Sequence, residues 1–230
     1  MRVTISFILE PVSYFLSGIF LFYFLRIDKR IKLKVLCVYY FLATILMVKA
    51  NFTNSRITNN IETYNILCLL SFTCLGVYFY QSFLLSWKKK LVVAFCLLEG
   101  VYFVTVNFLS PHPLLFDSMG QVILSIAVVI MVFMFMHQIL TNVTEESLWL
   151  NFDFWFVSAQ FMYHLGAFFI FLTFRNLTNK IMSSDLYSNE NRDLLGNLWG
   201  VHNVLLFLSA LLISASIVWI SFRRKSQSSS

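Results

Sequence analysis

Seven runs of almost uncharged apolar residues recur along this chain: Ile5 to Leu25, Leu33 to Ala50, Tyr64 to Ser86, Leu91 to Leu109, Met119 to Leu140, Phe152 to Phe174 and Leu198 to Phe222. About 20 such residues, wound as a helix, cross the hydrocarbon of a bilayer. The runs do not alternate with period two as barrel strands would, and in lipid only a helix satisfies its own backbone. Charged residues make up 12% of the chain, against roughly 25% in a soluble domain. An all-α polytopic membrane protein is therefore predicted, a single bundle of seven transmembrane helices over residues 1–222 with a short basic, Ser-rich tail at 223–230 that is solvated.

Lysine and arginine gather in alternate connections. Arg26, Lys29, Arg30, Lys32 and Lys34 follow the first run, Lys88 to Lys90 follow the third, and Arg223 to Lys225 follow the last. The opposite connections hold only scattered Arg2, Arg56, Arg175, Lys180 and Arg192. Cationic residues are retained on the cytoplasmic side, so the N-terminus is expected outside and the C-terminus in the cytoplasm. The net charge of +6 is thereby spent on orientation and on anionic lipid head groups, and no nucleic-acid partner is implied. The first run lacks a cleavage site and is followed rather than preceded by its basic cluster, so it is read as a retained span. The segment from Arg175 to Asn197 suggests a short amphipathic helix on the outer face. The four cysteines lie inside apolar runs without metal-ligand spacing and read as small buried hydrophobes.

Polar residues inside the spans single out the faces turned from lipid. At about 100° per residue, Glu10, Tyr14 and Ser17 align on the first span, Ser71, Tyr78 and Ser82 on the third, Asp153, Gln160 and His164 on the sixth, and His202, Ser209 and Ser216 on the seventh. Glu10 and His202 fall at one depth near the outer edge, with Lys49, Asn107 and Gln121 also in the outer part of their helices. These five are expected to form an outward-facing polar cup. Glu99, in the middle of AFCLLEGVYFVTVNFL, asks for a partner because an ionisable group in hydrocarbon is costly. His164 is expected to supply it, forming a buried polar pair.

Several function classes lack their chemistry here. No lysine in the last span could carry retinal, no Gly-x-Ser-x-Gly elbow supports a serine hydrolase, and no phosphate-cradling glycine loop is present. No His-x-x-x-His or His-Glu-x-x-His pair provides a zinc site, so no metal, cofactor or catalytic residue is assigned. A sensory or accessory receptor-like module is the preferred reading. A small-solute or proton-coupled transporter using Glu99 and His164 is the alternative, and a metal-dependent intramembrane lipid enzyme comes third.

The segments LLFDSMGQVILS, MFMHQILTNVTEESLWLNFDFWF and LWGVHNVLLF resemble small seven-helix orphan inner-membrane proteins of bacteria, some associated with sensor kinases. The resemblance covers almost the whole chain and centres on the pattern from Leu198 to Asn203. It implies a multi-pass protein of the bacterial cytoplasmic membrane and a signalling partner such as a sensor kinase.

Overall fold

The computed structural model describes residues 2–52, 58–106, 118–141, 148–184 and 189–228. These form α1 (Arg2–Phe24), α2 (Ile31–Phe52), α3 (Thr58–Ser82), α4 (Ser86–Val104), α5 (Ser118–Thr141), α6 (Phe152–Ser184) and α7 (Asn189–Ser228), with one 3-10 turn at Leu148–Leu150. Among the described residues there is no strand. Five helices, α2, α3, α5, α6 and α7, are long and apolar enough to cross a membrane, and α1 contributes a shorter apolar stretch, Ile8–Phe24.

The helices fall where the apolar runs place them, but two are longer. α6 and α7 extend to 33 and 40 residues, so residues 175–184 and 189–197 of the expected surface segment supply their ends instead. α7 also continues to Ser228, carrying residues 223–228 of the basic tail as helix where the sequence suggests solvated chain. No proline interrupts either helix, and polar residues at helix ends prolong a helix once its apolar turns are packed.

Neighbour relations define the architecture. α1 packs on α2 and α7, α2 on α3, α3 on α5, α5 on α6, and α6 on α7, which closes a ring of six helices. α4 lies outside that ring, against α3 and α5 only. Its buried residues are Lys88, Val92 and Glu99, whereas Val93, Leu97, Leu98 and Val101 are exposed.

Side-chain contacts orient the helices. Asp153 at the start of α6 meets Lys32 at the start of α2 and Tyr78 near the end of α3. Glu10 of α1 meets Tyr64 early in α3 at the opposite end. Between these two ends lies an apolar layer that includes Leu21, Leu36, Phe79, Phe156 and Ile213, all fully buried. In a bilayer such a layer is held by close packing rather than by a hydrophobic difference from lipid. Gln138 of α5 ties the α3 terminus down, donating to the Ser82 carbonyl at 3.0 Å and accepting the Leu84 amide at 3.0 Å.

Candidate functional site

All six ring helices, but not α4, line one polar cavity on the α1 N-terminal side of the apolar layer. It offers about 30 Å³ to water centres, room for roughly two waters. α1 contributes Glu10, Ser13, Tyr14 and Ser17, at the spacing that puts all four on one face of a helix. Pro11 sits on the same helix turn without ending it. Its missing N–H leaves one carbonyl of the preceding turn without its helical donor, and the neighbouring Ser13 hydroxyl donates back to the Leu9 carbonyl at 2.6 Å.

Glu10 is 2% exposed and accepts a hydrogen bond from the Tyr64 hydroxyl at 3.0 Å. The Tyr64 ring meets Trp199 edge-on at 5.1 Å, and Trp199 lies 5.3 Å from the His202 ring. Asn203 Oδ1 can only accept, so its 3.1 Å contact assigns the proton of His202 to Nδ1. His202 Nε2 then accepts the Tyr163 hydroxyl at 2.8 Å. Deeper in the cavity the Ser71 hydroxyl donates to the Leu67 carbonyl, which makes Tyr39 the donor in its 2.9 Å contact with Ser71. Gln160 donates to the Tyr40 hydroxyl at 3.3 Å. Two buried atoms among the lining residues have no hydrogen-bond partner, Ser17 Oγ and His164 Nδ1. Buried polar atoms are nearly always satisfied, so these two mark where cavity contents would bind.

Of the expected cup, Glu10, Gln121 and His202 line this cavity together. Lys49 does not line it and is exposed in the last turn of α2, a position where a lysine head group keeps its water. Asn107 lies outside the described residues. The expected Glu99 and His164 pair is replaced by separate environments. Glu99 accepts the Cys68 thiol at 3.7 Å, His164 lines the cavity, and no hydrogen bond or ion pair joins them among the described residues. The reason is topological, because α4 has no contact with α6. No three His, Cys, Asp or Glu converge as metal ligands among the described residues.

Two features were not anticipated. Tyr39, Tyr40 and Tyr163 line the cavity, and the available signal was their mid-span position, since membrane tyrosines otherwise favour the interface. The second is an ionic cluster beyond the apolar layer. Asp153 Oδ2 accepts Lys32 Nζ at 2.8 Å and Arg30 at 2.7 Å, and Oδ1 accepts the Tyr78 hydroxyl at 2.8 Å. Lys32 also donates to Ser82 at 3.0 Å. Burial alone would lower the pKa of Arg30, but hydrogen bonding to Asp28 and the charge and hydrogen bond of Asp153 raise it instead. Comparison with known protein families, curated proteins and solved structures returns no match.

Proposed function

We propose that this chain crosses the bacterial inner membrane seven times, N-terminus outside, and is a receptor-like sensory or accessory module that binds a small polar ligand in the six-helix cavity. The carrying observation is a buried, polar cavity closed towards the basic end by the apolar layer and containing two unpartnered atoms, Ser17 Oγ and His164 Nδ1. α4 completes the seven spans with its apolar face to lipid and Glu99 turned towards α3. In this reading a signalling partner such as a sensor kinase contacts the cytoplasmic end.

Thermal denaturation of the purified protein against panels of small polar solutes tests the binding role. A ligand at about 100 times its Kd contributes about 2.7 kcal/mol, a rise of about 5–10 °C for a chain of this size. The rise should disappear in His202→Ala. If no solute class raises the melting temperature, the receptor reading fails.

Orientation has its own measurement. In Ser226→Cys, which adds an exposed thiol at the end of α7 while Cys37, Cys68 and Cys74 are buried and Cys96 half-buried, a membrane-impermeant maleimide should label only permeabilised cells. Labelling of intact cells would reverse the assignment.

Transport is the second reading. It is favoured by the Asp153 cluster, which closes the opposite end of the same ring as a separable latch. Entry of the stabilising ligand into proteoliposomes would make it the better description.

A further inference from the structure

We propose that the cavity is a site for a small ammonium cation, of the size of ammonium or methylammonium. The assignment rests on the cavity being a ligand site, and it names the class of ligand.

Charge is the first argument. Among the described residues, Glu10 is the only carboxylate lining the cavity, and no lysine or arginine lines it. A buried carboxyl is either protonated or ionised beside a cation, and here the single hydrogen bond from Tyr64 leaves room for one.

The second argument is the wall. Five tyrosines, together with Trp199 and Phe171, line the cavity. Aromatic faces attract cations electrostatically, most strongly when water is excluded.

Hydrogen-bond polarity places what fills the rest of the cavity. An ammonium offers donors only, as a lysine head group does. Ser17 Oγ, one of the two unpartnered atoms, has lone pairs free to accept. His164 Nδ1, the other, accepts in the tautomer with its proton on Nε2. His202 is committed to Asn203 and Tyr163. Glu10 and Ser17 stand two helical turns apart, roughly 10 Å along α1, so one small cation cannot reach both: it sits at Glu10, and the two unpartnered acceptors bind water rather than the cation. The cavity as a whole has room for roughly two waters, enough for ammonium with one water or for methylammonium alone. A divalent metal lacks its donors, since among the described residues no three His, Cys, Asp or Glu converge.

The test is tryptophan fluorescence of the full chain in detergent, titrated with methylammonium chloride replacing sodium chloride at constant ionic strength. Trp199 lines the cavity and the other four tryptophans do not. A saturable change is expected, weakened at least tenfold in Glu10→Gln, less in Glu10→Asp, and unaltered in Glu62→Gln, whose exposed carboxylate is not in the lining. Equal binding by wild type and Glu10→Gln overturns the proposal, as does equal saturation by potassium chloride. Selectivity of the wild type keeps the test valid if Glu10→Gln does not fold: sodium acetate and methanol should give no saturation. Saturation by acetate or methanol instead, lost in His202→Ala, would overturn the cation and leave the receptor reading standing. No saturation by any of these solutes overturns the cation assignment outright.

Discussion

Replacing Asp153 by leucine is expected to destabilise the protein by about 3–5 kcal/mol, the range for breaking a buried ion pair by removing one partner. The cost arises on the cation that stays behind. The Lys32 side chain is 8% exposed and Asp153 9%, so without the carboxylate an ammonium would remain buried with only Ser82 as its hydrogen-bonding partner. Arg30 contributes less, because its side chain is 44% exposed and also pairs with Asp28 at 2.7 Å; an exposed pair of this kind contributes about 0–1 kcal/mol. Lys32→Met should therefore cost less than half as much as Asp153→Leu, since Asp153 keeps Arg30 and Tyr78. The double variant Lys32→Met with Asp153→Leu should recover most of the loss, because exchanging a whole buried pair for apolar groups is often neutral. Unfolding in mixed micelles, measured for the four corners of that cycle, decides it. Additive single effects would mean that the two residues do not form one latch.

That cluster also shows what the sequence made visible and what it hid. The face shared by Asp153, Gln160 and His164 follows from helical spacing, and all three are buried. Their separate roles do not follow. Asp153 lies at the helix start, level with the basic segment RIDKRIKLK, and its complementary charge was the clue to Lys32 and Arg30. Those cations read as orientation signals because the same residues serve both purposes. Glu10, Gln121 and His202 meet around one cavity because similar depth and an inward polar face constrain helices that share a ring. Depth alone fails for Glu99, since it is silent about which helix stands outside the ring. Ring membership is set by how helix surfaces fit, through small residues and van der Waals contact, and no single-span pattern encodes it.

The place of α4 outside the ring makes Gly76 the second position of large effect. A Cβ on Gly76 would lie 2.5 Å from Cys96 Sγ, with Val92 Cγ1 at 3.8 Å, and both neighbours belong to α4. Cys96 has only one side-chain torsion with which to move its sulfur away. Gly76→Ala must therefore rotate that thiol off its rotamer or push α4 outward from α3, at about 1–3 kcal/mol for an overpacked contact. The slight gain in helix propensity from glycine to alanine, about 1 kcal/mol, offsets part of this. Cys96→Ala removes the obstructing atom, so in the double variant the cost should vanish and the propensity gain should remain, leaving it at least as stable as Cys96→Ala alone. A displaced α4 would also take Glu99 away from Cys68, now 3.7 Å apart. Cys68 should then react faster with a membrane-permeant maleimide in Gly76→Ala than in the wild type. Unchanged Cys68 reactivity together with unchanged stability would show that α3 and α4 are not held at this distance.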